Sequence, residues 1–192
     1  MQIINSILTW VIKKRIHQIE LFKKYPHDVQ DEVLKKLIGF ARYTDFGQRY
    51  AFDDLISYED YKRRVPVNTY EQLFPYIDRL MHGEQNVLWP SETKWFAKSS
   101  GTTNARSKFI PVTPEALEDC HYKGGKDLYS IFINSHPDTK IFSGKGLGVG
   151  GSYRVNEYDP TATSHYGDVS AVIMQNLPPW AEFIRTPSIE IA

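Results

Sequence analysis

The residues of this chain that could do chemistry stand together in Lys98-Ser99-Ser100-Gly101-Thr102-Thr103-Asn104-Ala105-Arg106-Ser107-Lys108. Positions 99 to 103 hold four hydroxyls around one glycine, and the stretch as a whole carries three cations. Ser and Thr hydroxyls donate and accept hydrogen bonds, and Gly101 lets the backbone turn or approach a ligand where a Cβ would clash. Successive backbone N–H groups in such a turn form a concavity suited to an anion, to which Lys108 adds a point charge. These residue types leave two readings open: a loop that grips phosphate, or a solvated Ser/Thr-rich hairpin connection.

The flanks are what must position this loop. Thr93-Lys94-Trp95-Phe96-Ala97 before it and Phe109-Ile110-Pro111-Val112 after it read as strands. In order and spacing, Ser99-Ser100-Gly101-Thr102-Thr103, Lys108 and Phe109-Ile110-Pro111 resemble the phosphate loop of adenylate-forming enzymes. They are most similar to the GH3 acyl-acid–amido synthetases. In the wider acyl-CoA synthetase and luciferase group the lysine comes one residue earlier, after a proline; Lys108 has the later, GH3-like spacing. Asn104 and Ala105 stand where a second glycine is common in the family, and Asn tolerates a left-handed backbone better than most residues. The order of Thr44-Asp45-Phe46-Gly47, Val65-Pro66-Val67, Tyr70, Pro75-Tyr76-Ile77 and Gly83-Glu84, and the run 167–179, extend the resemblance over most of the chain.

Composition narrows the alternatives. At 192 residues, 41% apolar and 24% charged, the chain is an ordinary globular sequence, large enough for one domain or two small ones. Its 23 basic and 23 acidic residues balance, so no overall field recruits nucleic acid or an anionic membrane. Cys120 is the only cysteine, which excludes an internal disulfide, and the six histidines show no metal-ligand spacing. Cys120 and His121 read as structural. No run is long enough to span a bilayer, and the N-terminal apolar stretch precedes its basic residues, the reverse of a secretory signal; the expected compartment is cytoplasmic.

Helical spacing places Ile4, Ile7, Leu8, Val11, Ile12, Ile16 and Ile19 on one face of a helix running from Ile3 to about Tyr25. Pro26 ends it, and Asp28 caps a second helix with Val29, Val33, Leu37 and Ala41 on its stripe. A short helix begins at Ser57, and Thr69-x-x-Gln72 is a capping box for another, which Pro75 should break or restart and Gly83 should end. After the loop, Thr113 caps and Pro114 opens a helix toward Asn134, with Leu117, His121, Gly124, Leu128 and Ile131 sharing a face. Gly124 implies a close approach of that helix to a sheet. Residues 146–151 match G-x-G-x-x-G, but no helical period follows, so a dinucleotide fold is not expected; no Walker loop occurs either.

The expected fold class is α/β, with mainly helical residues 1–90 leading into the first strands of an adenylate-forming large domain over 91–192, incomplete in this chain. The resemblance implies ATP-dependent activation of a carboxylic acid as acyl-adenylate, followed by conjugation to an amino acid. It implies ATP and Mg2+ as cofactors, small carboxylic and amino acids as partners, and no nucleic acid or membrane. Ser99, Ser100, Gly101, Thr102 and Thr103 become the phosphate-loop residues and Lys108 their catalytic charge partner. Family members are considerably longer, so the chain reads as a fragment or an evolutionary truncation, its partner being the missing downstream region of the same protein. Alone it is expected to be inactive in amide synthesis. The alternative is a non-catalytic nucleotide-binding or interaction module derived from that fold, and the reading frame after Ala192 discriminates the two.

Overall fold

A computed structural model describes residues 2–99 and 107–188. The helices in chain order are α1 (Gln2–Lys13), α2 (Ile16–Lys24), α3 (Pro26–Ala41), α4 (Asp45–Arg49), α5 (Tyr58–Arg64), α6 (Tyr70–Met81), α7 (Lys123–Ser135), α8 (Val169–Gln175) and α9 (Pro179–Phe183). The strands are β1 (Trp95–Lys98), β2 (Phe109–Val112), β3 (Gly146–Leu147), β4 (Tyr153–Val155), β5 (His165–Gly167) and β6 (Arg185–Thr186), and a π-helix spans Ala116–Tyr122. The result is a mixed α/β chain, as the sequence predicts. It divides into two compact units, residues 27–114 with 152–172, and residues 1–26 with 115–151 and 173–192. No helix among the described residues is long and apolar enough to cross a membrane.

The unit containing the Ser/Thr loop is built on a sheet of order β2-β1-β5-β4, with β1 antiparallel to β2 and parallel to β5. Helix α6 supplies its core. Thr69 and Gln72 form the expected capping box, and the spacing of Ile77, Leu80 and Met81 puts these residues against Val87 and Phe96. Pro75 does not break α6. It lies on the exposed side, where water can satisfy the Glu71 carbonyl that proline leaves without a donor. Gly83 closes the helix with φ +89°, a left-handed conformation that glycine accepts without a Cβ penalty. Ser57 caps α5 in a second box with Asp60. In α3 the stripe is displaced from the expected one: Ile38 and Ala41, with Leu34 beside them, pack on Phe52 and Val65, while Val33 and Leu37 are exposed.

The other unit corrects several sequence expectations. The first helix is two, interrupted between Lys13 and Ile16, where Arg15 turns to bind Asp127 (2.5 Å). Only Ile12, with Leu8 beside it, packs into the core, against Ile133 and Phe142. The helix after Pro114 winds as a π-helix before continuing as α7. Hydrogen bonding to the fifth residue inserts almost one extra residue per turn, which rotates every later side chain around the axis. The expected face is therefore lost beyond His121: Leu128 and Ile131 are exposed, while Ser130 and Ile133 are buried. Gly124 answers to no close approach, since a Cβ there would meet nothing within 4 Å. The run after Gly151 is extended and opens no helix, in line with the rejected dinucleotide reading.

Candidate functional site

Strand β1 runs directly into the Ser/Thr loop and β2 returns from it, in the register Lys98↔Phe109 and Trp95↔Val112. The mouth of the loop is closed by two hydrogen bonds: the Ser99 N–H donates to the Lys108 carbonyl (2.9 Å), and the Lys108 N–H donates to Ser99 Oγ (3.0 Å). Ser99 and Lys108, nine positions apart, are thus brought face to face. Of the expected phosphate-loop residues, Ser100, Gly101, Thr102 and Thr103 lie outside the described residues.

Lys108 is half-exposed. Its Nζ lies 4.9 Å from the centre of the Tyr70 ring and 3.5 Å from Glu71 Oε1, so the N-terminus of α6 sets its direction. The Glu71 carboxyl is held below its usual range by hydrogen bonding to its own backbone N–H, then by Thr69, then by the Lys108 charge. Tyr70 makes a second connection. Its hydroxyl accepts from the Phe109 N–H (2.9 Å) and donates to the Phe109 carbonyl (3.3 Å). Strand β2 is the edge of the sheet, so this hydroxyl occupies the place a neighbouring strand would take.

Strands β1 and β5 are parallel and end side by side at Ala97↔Gly167. In open α/β sheets, ligands bind beyond the carboxyl ends of parallel strands, and the loop starts at that end of β1. The neighbouring end is tightly built: a Cβ on Gly167 would fall 2.4 Å from the Ser152 carbonyl oxygen and 2.7 Å from Tyr153 Cα. Asp168 then accepts from the Ser152 N–H (3.3 Å) and donates its own N–H to the Ser152 carbonyl (3.1 Å). Sequence reading assigned Gly167 and Tyr70 no role; only the pairing of distant segments reveals one.

The second unit holds a cavity of about 410 Å³ lined in part by Tyr129, Phe142, Ile173 and Leu177, with His121 and Arg185 at its wall. The π-helix places His121 on this wall, where the sequence reading made it structural; Cys120 is exposed. Tyr122 fixes one side by donating to the carbonyls of Asn176 (2.6 Å) and Ile173 (3.3 Å). Burial, and then the charge of Glu118, push its phenol up, which disfavours the ionised form. Among the described residues no three His, Cys, Asp or Glu side chains gather as a metal site.

A family model described as the GH3 family N-terminal domain matches residues 15–192. The chain is 29% identical over 143 residues to the indole-3-acetic acid-amido synthetase GH3.2 of Arabidopsis thaliana, covering 66% of this chain and 26% of that protein. It is 32% identical over 120 residues to the 4-substituted benzoates-glutamate ligase GH3.12 of the same plant, covering 62% of this chain and 20% of the relative. Similarity to the jasmonoyl–L-amino acid synthetase JAR6 of Nicotiana attenuata is 30% over 107 residues, or 55% and 18% of the two chains. The solved structure of the GH3.15 acyl acid amido synthetase superposes with a TM-score of 0.69 at 22% identity, over 85% of this chain and 29% of that one. The chain thus spans about a quarter of the length of the first of these relatives.

Proposed function

The chain belongs to the GH3 family, and on that premise we propose that the protein carrying it uses ATP to activate a carboxylic acid and joins the acid to an amino acid. The observation that carries this reading is the strand–loop–strand unit, in which Ser99 and Lys108 meet across the loop mouth at the carboxyl end of β1. A carboxylate oxygen attacks the α-phosphorus of ATP, the bond to the bridging oxygen breaks, and pyrophosphate leaves. An amine then attacks the acyl carbon of the adenylate and releases AMP, its surplus proton passing to solvent. The acid arrives ionised, so the first step needs no general base.

Charge builds on phosphate oxygens in that step, and fixed donors stabilise it. Ser99 spends a lone pair on the Lys108 N–H, leaving its own proton to donate to phosphate. Ser100, Gly101, Thr102 and Thr103 supply further hydroxyls and backbone N–H groups. Lys108 supplies the cation, steered by Tyr70 and only loosely held by Glu71, so that phosphate can displace the carboxylate. Magnesium comes as the counterion of ATP on its phosphate oxygens, where it neutralises charge.

The test is exchange of labelled pyrophosphate into ATP by the longest product of the gene, over a panel of aromatic and aliphatic acids. Lys108→Ala should lower exchange about ten- to a hundredfold, the worth of one charge-assisted contact of roughly 1.5–3 kcal/mol. Thermal stability should hardly change, because the Glu71 pair is exposed. Unchanged exchange in that variant removes Lys108 from the site, and no exchange with any acid in the wild type refutes the acid-activating reading.

A further inference from the structure

Helix α1 carries more apolar surface than its own unit covers. Its inward side is accounted for: Leu8 and Ile12 pack with Ile133 and Phe142, Asn5 Nδ2 donates to the Thr139 carbonyl (3.3 Å), and the Phe142 N–H donates to Asn5 Oδ1 (3.1 Å). Its outward side is not. Ile3, Ile7 and Trp10 follow the spacing of four and three that makes one helical stripe, and they are 75%, 56% and 62% exposed. Val11 flanks the stripe and is half-exposed. Single exposed apolar residues are ordinary, but a row of large ones along one helix marks a surface that meets something apolar.

The charges next to this stripe are of one sign. Residues 2–19 include Lys13, Lys14 and Arg15 but no Asp or Glu, and Glu20 is the first carboxylate in the sequence. The excess is local, since the chain as a whole is neutral. Asp127 matches Arg15, whereas neither Lys13 nor Lys14 has a carboxylate in ion-pair reach among the described residues. Lys14 Nζ lies instead 3.3 Å from the centre of the Trp10 ring. A groove of about 540 Å³ adjoins the stripe, lined in part by Leu8, Val11 and Ile12 and by Lys14 and Lys126. One aromatic and two aliphatic side chains beside unmatched ammonium groups suit an anionic lipid surface. The apolar groups enter at headgroup depth, and the long lysine stems keep their charges on the phosphates. A second copy of the chain fits less well, because α1 has no carboxylate to set against Lys13 and Lys14.

We propose that α1 docks the protein peripherally on an anionic lipid bilayer, with Ile3, Ile7 and Trp10 in the surface layer and Lys13 and Lys14 on headgroup phosphates. The helix lies in the plane of the surface and does not cross it. Its 12 residues span about 18 Å, short of the roughly 30 Å of hydrocarbon in a bilayer. The proposal stands apart from the acid-activating reading, because α1 precedes residue 15, where the match to the family begins.

The test is flotation with vesicles of phosphatidylcholine alone and of phosphatidylcholine containing phosphatidylglycerol, using both the 192-residue chain and the longest product of the gene. The anionic vesicles should bind either protein about tenfold more tightly than the neutral ones, and added salt should weaken that binding. Trp10→Ser should reduce binding to anionic vesicles by about tenfold, and the double substitution Lys13→Glu with Lys14→Glu by at least as much. These side chains are on the surface, so the melting transition should stay where it is; the lysine pair serves if Trp10→Ser does not fold. Absence of binding, equal binding to both vesicle types, or binding that survives both changes overturns the proposal. So does binding by the 192-residue chain alone, which would mean that further residues of the protein cover the stripe. Dimers of the lipid-free protein that Trp10→Ser dissociates would assign the stripe to a second copy and overturn it as well.

Discussion

Tyr70→Phe removes one oxygen atom and should unfasten the loop from outside. In the wild type that oxygen accepts from the Phe109 N–H at 2.9 Å and donates to the Phe109 carbonyl at 3.3 Å. The aromatic ring stays, and with it the packing against the core cluster of Ile77, Leu80, Met81, Val87 and Phe96 and the surface beneath Lys108. The change therefore isolates two hydrogen bonds on the open edge of β2. Leaving a partly buried backbone group unpaired costs about 1–3 kcal/mol, and the longer bond adds little. For a chain of this size, 1 kcal/mol corresponds to roughly 2–4 °C, so the melting transition should fall by about 2–12 °C. Hydrogen exchange at the Phe109 amide should accelerate while that at Phe96, in β1, changes only with overall stability. An unshifted transition together with unchanged exchange at Phe109 would refute the claim that Tyr70 replaces a missing strand.

Three further substitutions address the loop that follows β4. Asn156 is fully buried and donates to the Met81 carbonyl (2.7 Å) and Ser164 Oγ (3.0 Å), so Asn156→Ala should destabilise the chain by about 1–3 kcal/mol, read from chemical denaturation, whereas Ser164→Ala should cost less because the Met81 bond survives. At Asp159, burial acts to raise the carboxyl pKa, but hydrogen bonds from Thr161 and Ser164 outweigh it and hold the group well below its usual range. A depressed folded-state pKa contributes stability that is present above the unfolded value, roughly 4, and lost as pH falls toward the folded one. Wild-type stability should thus decline below about pH 4 more steeply than that of Asp159→Asn, and parallel curves would show that these hydrogen bonds do not favour the ionised form.

What was legible in the sequence was local. The start of a helix at Ser57, the capping box at Thr69, the stop at Gly83, the strand on either side of the Ser/Thr loop, and the family resemblance of the loop itself all depend on residues within a few positions of one another. Hydrogen bonds of that reach form wherever the segment is placed, so residue type and spacing specify them. The tertiary structure decided which faces are buried. Helix α3 presents Leu34 and Ile38 rather than Val33 and Leu37 because the site of packing, not the count of apolar residues, fixes its rotation. The π-helix before α7 likewise turns His121 onto a cavity wall and Leu128 to solvent, a rotation that no periodicity of 3.6 residues anticipates. The partners of Tyr70, Gly167 and Arg185 follow the same rule. Tyr70 meets a strand 39 residues away, Gly167 receives the backbone of Ser152 and Tyr153, and Arg185 passes a glycine of the 146–151 run. Such contacts exist only once separate segments converge, because backbone pairing joins stretches whose local sequence says nothing about one another.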